Sequence, residues 1–311
     1  MSKKPKIIIL GAGMSGIACA LSLYKNFDVQ IYEKSRGIGG RLCAKRLPHG
    51  VFHFGAQFCT AHTITFQNFL RESDAVSFLG SSFDVDKGSN IETKNYFVGK
   101  DGMHSLLKKY NEVLNIHYKH KAVDIDENRK LISFDSGQTI SYDIIISSLP
   151  LPQARDIFQT EIKHDAIFSP CLSVGMSING SPSYDHNAYK NINKDVAWLG
   201  SSSFYNNKNK ETWVLQFSPE TSLAMMNNCD STIQATAENS IRNIINGKYE
   251  IIHSGIFRWK YALCNRSNLK SKFTSISEDS FAIGDWNISP RVESAYISGT
   301  ALGEYLFEAR L

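Results

Sequence analysis

The chain has 311 residues, enough for one large or two ordinary domains, and its 42% hydrophobic and 21% charged residues are typical of a soluble globular protein. The formal net charge of +4 is small, and Lys3-Lys4, Lys108-Lys109 and Lys208 with Lys210 are dispersed, solvated positions, which argues against nucleic-acid binding. No apolar run reaches the roughly 18 residues of a membrane span, and six cysteines occur singly without a CxxC pair, as suits a reducing cytoplasm.

Lys3-Lys4 followed by apolar residues imitates a targeting segment, but three glycines at dinucleotide spacing interrupt it. Ile7-Ile8-Ile9-Leu10 reads as a buried strand running into Gly11-Ala12-Gly13-Met14-Ser15-Gly16. A helix follows with Ile17, Ala20, Leu21 and Tyr24 on one face, then a strand ending at Val29-Gln30-Ile31-Tyr32-Glu33. In this context the GxGxxG turn has a physical meaning. Gly11 permits the sharp strand-to-helix turn, Gly13 lets backbone amides at Met14 and Ser15 approach a pyrophosphate, and Gly16 lets helix and strand pack closely. Glu33, 22 positions after Gly11, can accept from a ribose diol and disfavours a 2′-phosphate, so FAD or NAD fits better than NADP. A second glycine turn, Gly37-Ile38-Gly39-Gly40, is flanked by Arg36 and Arg41.

Gly55-Ala56, inside the aromatic stretch Phe52 to Phe58, marks a close backbone approach to something flat and large, or else a bulge. Phe66, Phe69 and Leu70 predict a helix, and Leu106, Leu107, Tyr110, Val113 and Leu114 predict another. Short strands are expected at 115–118, 122–125, 131–134 and 139–141, the last two forming a hairpin at Asp135-Ser136-Gly137. A central parallel strand is expected at 142–148. Between about 157 and 261 the strand-like runs 172–178, 196–199, 213–217 and 255–259 surround one helix near 232–245. The chain then returns through Phe281-Ala282-Ile283-Gly284-Asp285-Trp286 to a final helix, whose Ala295 and Gly299 allow close approach to a neighbour. The fold class is α/β, a Rossmann-like dinucleotide domain with an inserted, mainly antiparallel sheet domain. The expected division is 1–60, 96–156 and 262–311 for the first domain, and 61–95 and 157–261 for the second.

Taken together, Lys34-Ser35-Arg36-Gly37-Ile38-Gly39-Gly40-Arg41, Gly55-Ala56-Gln57-Phe58, Val98-Gly99-Lys100 with Gly102-Met103, Arg258-Trp259-Lys260-Tyr261-Ala262, and Gly284-Asp285-Trp286 followed by Arg291-Val292-Glu293-Ser294-Ala295 resemble the FAD-dependent amine-oxidase superfamily, and within it the renalase-like flavoproteins. The resemblance implies noncovalent FAD between the two domains. Glu33 would hold the adenosine ribose, with Arg36 and Arg41 near the pyrophosphate beside Lys34 and Gly40. Gly55, Ala56, Gln57 and Phe58 would pass along the isoalloxazine, Ala122 or Val123 would offer backbone to the adenine, and Gly284-Asp285 would bind the ribityl chain. The final helix, beginning at Arg291, Val292 and Glu293, would aim its N-terminus at the flavin N1–C2=O edge. Phe58, Cys59, Thr60, Ala61, His62, Phe97, Cys171 and Trp286 would lie on the substrate side, although for Cys59 and Cys171 the role of small buried hydrophobes is preferred. His53 stands where the family pattern has an acidic residue, and His62-Thr63 where it has Arg-Asp, so these positions depart from it. No cysteine follows Cys264, which argues against a covalent flavin.

The chemistry implied is oxidation of dihydro isomers of NAD(P)H to NAD(P)+, with hydride passing to flavin N5 and dioxygen yielding hydrogen peroxide. No catalytic side chain is singled out, because hydride loss from a dihydropyridine needs positioning rather than a base. The rivals are oxidation of a small amine within an aromatic box (Phe58, Phe97, Trp259, Tyr261, Trp286) and FAD binding without turnover. No metal site is expected, since His117 and His120, three apart on a strand, should point to opposite faces.

Overall fold

A computed structural model describes residues 4–47, 50–201, 211–265 and 271–310. Lys3, Lys208 and Lys210 lie outside the described residues.

Strand Lys6–Leu10 stands at the centre of a parallel sheet, with Ile144–Ser147 on one side and Asp28–Glu33 on the other. Among the described residues this sheet runs in the order Thr274–Ser275, Ser280–Ala282, Ile144–Ser147, Lys6–Leu10, Asp28–Glu33, Asn115–Tyr118, and its pairings are parallel except for Thr274–Ser275. The run is apolar without interruption because both faces are covered. Ile7 and Ile9 join the core beneath helix Met14–Leu23 and helix Val292–Arg310. Ile8 and Leu10 join the core shared with the three-stranded meander Ala122–Asp126, Leu131–Phe134, Thr139–Ser141. The hairpin expected at residues 135–137 forms, with Gly137 at φ +84° and Thr139 opposite Ser133.

The two helices meet where the small residues predicted a close approach. A Cβ on Gly299 would lie 2.2 Å from the Ser15 carbonyl oxygen, and one on Gly303 would lie 2.5 Å from the Ser22 Cβ. The first and last helices are therefore clamped together beneath the sheet.

The second layer is a seven-stranded sheet among the described residues, in the order Asn246–Cys264, Phe168–Ser183, Glu211–Phe217, Val196–Ser201, Ala188–Lys190, Ala75–Asp84, Ser89–Gly99. Its pairings are antiparallel except that of Ala188–Lys190 with Ala75–Asp84. Helix Asp230–Arg242 buries Ile233, Ala237 and Ile241 against the core that also holds Leu172, Val174 and Trp213. Strand Ser89–Gly99 continues past residue 95, and Asn246–Cys264 past residue 261, so both sheet strands reach beyond the boundaries drawn from the sequence.

Other elements differ from the sequence reading. The helix predicted around 106–114 is one turn, Ser105–Lys108, continued by a 3₁₀ turn, Lys109–Glu112. The tighter three-residue turn leaves Val113 52% exposed while Leu106, Leu107 and Tyr110 stay buried. Helix Pro219–Met225 was missed, although Ser218 with proline at the first helical position is a legible start; the Ser218 hydroxyl accepts from Thr221 N–H. His117 and His120 do not point to opposite faces. The strand ends at Tyr118, Lys119 adopts φ +61°, and both rings meet Tyr32, at 4.6 Å and 5.6 Å between centroids. No cluster of three metal-ligating side chains occurs among the described residues, and no described helix is long and apolar enough to cross a membrane.

Candidate cofactor and substrate site

The first glycine turn is built by close contacts. Gly11, at φ +101°, donates its N–H to Tyr32 O at 2.8 Å, tying the turn to the next strand. A Cβ on Gly16 would stand 2.2 Å from Gly11 O, so helix Met14–Leu23 can start here only with glycine. Gly13 differs: a Cβ there would meet no heavy atom within 4 Å. No side chain caps this helix and no acidic residue stands in its first turn, so its N–H groups and partial positive charge remain available to an anion.

The second glycine turn lies directly against the first. Gly39 N–H donates to Ala12 O at 2.9 Å, and Gly40 approaches the Gly13 Cα. Glu33 is 6% exposed, and its carboxylate accepts from Ala12 N–H at 2.9 Å and Ser35 N–H at 2.8 Å. It thus fixes both turns while retaining lone pairs for a diol. Lys34 and Arg36 are exposed; Arg36 lines a cleft of about 420 Å³ with Gly37, Ile38, His104, Lys108 and Tyr118.

Arg41 reaches across the chain to Asp285, forming two hydrogen bonds to its carboxylate, one of 2.9 Å, and donates to Ala262 O at 3.1 Å. Burial works against the guanidinium charge, but the Asp285 carboxylate outweighs it and the Arg41 pKa is raised. Cys264 Sγ lies 3.6 Å from the same carboxylate, and burial together with Asp285 pushes its pKa up to about 12. Gly284 N–H donates to Ser298 Oγ of the last helix at 2.9 Å. On the opposite side, strand Ala122–Asp126 bulges: the register jumps from Ala122–Phe134 to Asp124–Ser133, so Val123 is skipped in the pairing.

The loop Gly55–Phe58 is pinned rather than open at its first residue. A Cβ on Gly55 would lie 2.0 Å from Arg41 O and 3.3 Å from the Trp259 ring, and Ala56 N–H donates to Arg41 O at 3.0 Å. The close approach expected from Gly55 is therefore to the Arg41 backbone. Phe54 O accepts from Ser173 Oγ and from Trp259 Nε1, each at 2.8 Å. Beyond Gln57, Phe58 packs on Tyr96 at 4.3 Å and meets Trp198 edge-on at 5.6 Å.

Several sequence-predicted residues are used otherwise. Trp286 has no exposed surface; its Nε1–H donates to Leu149 O at 3.2 Å and its ring meets His164, so it belongs to the core and not to a substrate wall. The Glu293 side chain is taken up by the 62–63 loop: it accepts from His62 N–H at 2.9 Å, Thr63 N–H at 2.7 Å and Thr63 Oγ1–H at 2.8 Å. Its carboxylate holds that loop at the last helix, leaving Val292 half-buried and Arg291 exposed at the helix start. Cys59 and Phe97 exchange backbone hydrogen bonds at 2.9 and 2.8 Å. Burial raises the thiols of Cys59 to about 12 and Cys171 to about 11, so neither serves as a thiolate near neutral pH. Thr60 and Ala61 are half-buried between these points and His62 is exposed. Trp198, Tyr96 and Gln216 were not singled out from the sequence. The adjoining strands place them here, and only their aromatic and amide chemistry could have suggested it.

An open Gly13, an uncapped helix, a buried acid at the end of the second strand and an Arg–Asp bridge to the last segment fit an adenine dinucleotide, with its pyrophosphate at Gly13–Ser15 and its ribose at Glu33. Residues 9–72 match the NAD(P)-binding Rossmann-like domain model. Renalase of Mus musculus is 28% identical over 169 residues, covering 49% of this chain and 49% of that protein, so the match spans about half of that relative. Among solved structures, a reduced UDP-galactopyranose mutase superposes with a TM-score of 0.81 at 12% identity, covering 99% of this chain and 95% of that one. Putrescine oxidase gives 0.76 at 12% identity over 98% and 99% of the two chains. A putative protoporphyrinogen oxidase from Exiguobacterium sp. 255-15 gives 0.79 at 10% identity over the whole of both. The chain is thus similar to renalase over about half its length and shares the fold of these solved flavin-enzyme structures.

Proposed function

We propose that this protein is an FAD-dependent oxidoreductase that oxidises dihydro isomers of NAD(P)H, the 2- or 6-dihydro forms, to NAD(P)+. The observation that carries the reading is the Arg41–Asp285 bridge, which brings the second glycine turn and the Gly284-Asp285 segment together above the first turn. The first βαβ unit holds the ADP half that NAD and FAD share; in this reading the part of the ligand that continues past Arg41 and Asp285 toward the start of the last helix is the ribityl chain and flavin. Bound FAD would supply the hydride acceptor at N5 and, with dioxygen, the route to hydrogen peroxide.

In this reading Met14 and Ser15 N–H groups hold the pyrophosphate, Glu33 the adenosine ribose, the Val123 backbone the adenine, and Asp285 the ribityl chain. Residues 1–60, 100–156 and 265–311 form the FAD domain, and 61–99 with 157–264 the substrate domain, the limits at 95 and 261 being moved to the ends of strands Ser89–Gly99 and Asn246–Cys264. The Phe54–Phe58 loop, fixed to the sheet by Ser173 and Trp259, orients the reacting ring. No general base is needed, because a dihydropyridine that loses hydride becomes an aromatic cation without losing a proton. The raised Cys264 pKa supports noncovalent attachment, since a protonated thiol is a poor nucleophile.

The purified protein should be yellow and its flavin should bleach on anaerobic mixing with 6-dihydroNAD; a colourless protein that takes up no added FAD defeats the cofactor assignment. Amine oxidation is the second reading, favoured by the Phe58–Tyr96–Trp198 rings. Bleaching by amines alone would put it first.

A further inference from the structure

Two N–H donors beside the Gly55–Phe58 loop have no acceptor. Gln57 Nε2 and Trp198 Nε1 are shielded from solvent, and neither has a hydrogen-bond partner. They are neighbours, because a Cβ placed on Gly200 would lie 2.8 Å from Gln57 Oε1 and 2.8 Å from Trp198 Nε1. Buried donors nearly always find an acceptor, since an unmade bond forfeits the water that the donor held when unfolded. Two of them at one spot, on residues that are only half-buried, are accounted for when the acceptor arrives with a ligand.

The surroundings specify that ligand. Phe58 stands edge-on to Trp198 at 5.6 Å and packs on Tyr96 at 4.3 Å, giving an aromatic wall suited to a planar ring. His53 Nδ1 lies 3.0 Å from the Gln57 carbonyl. A carbonyl oxygen only accepts, so Nδ1 carries the proton and a neutral His53 holds Gln57 from behind. Gln216 Nε2–H donates to Gly55 O at 3.2 Å, so the loop is held independently of Trp198.

We propose that Gln57 and Trp198 are specificity residues that bind the carboxamide of a planar heterocycle lying against Phe58 and Tyr96. The inference rests on the oxidoreductase reading and names the substrate group that this site selects. Trp198 can only donate, and it takes the carboxamide oxygen; the Gln57 amide, which has both N–H donors and an acceptor oxygen, pairs with a group of the same kind. An ammonium offers donors alone and meets the Trp198 N–H head-on. The arrangement ranks a dihydronicotinamide above a small amine.

The test is isothermal titration of benzamide and benzylamine into the FAD-loaded wild type, Trp198→Phe and Gln57→Leu. Both substitutions keep bulk and remove a donor; a cooperative melt and full flavin content show that each variant is folded and loaded. Benzamide should bind the wild type at least about tenfold more tightly than benzylamine. Each variant should lose about tenfold in benzamide affinity and change little toward benzylamine. Unchanged benzamide affinity in both variants, as a buried water serving the two donors would give, overturns the proposal, and so does equal affinity for the two ligands. Bleaching by 6-dihydroNAD is scored separately. Its absence with the benzamide pattern intact sinks the activity and leaves the subsite, while normal bleaching with unaltered benzamide binding does the reverse.

Discussion

Arg41 and Asp285, 244 positions apart, face each other through two hydrogen bonds, and the Asp285 side chain is 7% exposed. Removing only one partner strands a charge, so Asp285→Ala should destabilise the protein by about 1–3 kcal/mol. That range lies below the cost of breaking a fully buried pair because the Arg41 side chain is 30% exposed. The double variant Arg41→Met with Asp285→Ala should recover part of that loss in urea unfolding. If it instead falls by the sum of the single losses, the two side chains do not act as a pair.

Glu33→Ala should lower FAD retention by tenfold or more and leave Ala12 and Ser35 N–H without their acceptor, costing about 1–3 kcal/mol for each N–H that finds no water. Glu33→Gln, which keeps one acceptor oxygen, should fall between the two. The ratio of visible to ultraviolet absorbance after gel filtration reads the first effect, and urea unfolding the second. Full flavin content in Glu33→Ala would remove the ribose from this carboxylate.

The second and third glycines of the turn should separate binding from folding. A methyl at Gly16 meets the fixed Gly11 carbonyl at 2.2 Å, so Gly16→Ala should unfold at a lower temperature. A methyl at Gly13 has room, so Gly13→Ala should keep its melting midpoint without ligand and still take up little FAD. Equal loss of stability in both would mean that the space at Gly13 is not kept for a ligand.

His53 is 1% exposed, and burial lowers its pKa to about 4, with the Gln57 carbonyl opposing and His104 reinforcing the shift. An unfolded histidine takes its proton near pH 6.5. Between these values the unfolded chain holds the extra proton, so stability should fall by up to ~3 kcal/mol as the pH drops from 6.5 to 4, and the contribution of this group should level off below that. His53→Asn should flatten this part of the profile in urea titrations. An unchanged slope would assign the acid sensitivity to another group.

Local patterns were legible where the cause is local. The isoleucines of the first strand, the glycines of its turn, Glu33, and the Phe66, Phe69 and Leu70 face of helix Ile64–Glu72 each follow from periodicity or spacing alone. Strand Asn246–Cys264 was seen only at its centre, because much of it is half-exposed and polar residues such as Lys248, Glu250 and Lys260 interrupt the apolar signal. The uses of Glu293, Trp286 and Trp198 depend on segments far away in sequence, with Glu293 meeting Thr63 across 230 positions. No periodicity carries that information. Family position placed Glu293 and Trp286 near the ligand, and the actual partners of their polar atoms gave them different roles.

The glycine contact between the first and last helices has a consequence for biogenesis. Strand Lys6–Leu10 and its turn leave the ribosome early, yet Gly299 closes on Ser15 only after some 280 further residues have been made. Strand Ser280–Ala282 and the Asp285 partner of Arg41 are equally late. A nascent chain therefore carries half a binding site until the last helix has been made. Loading of the dinucleotide waits on that segment, and chains cut short before it should be left empty and open to proteolysis.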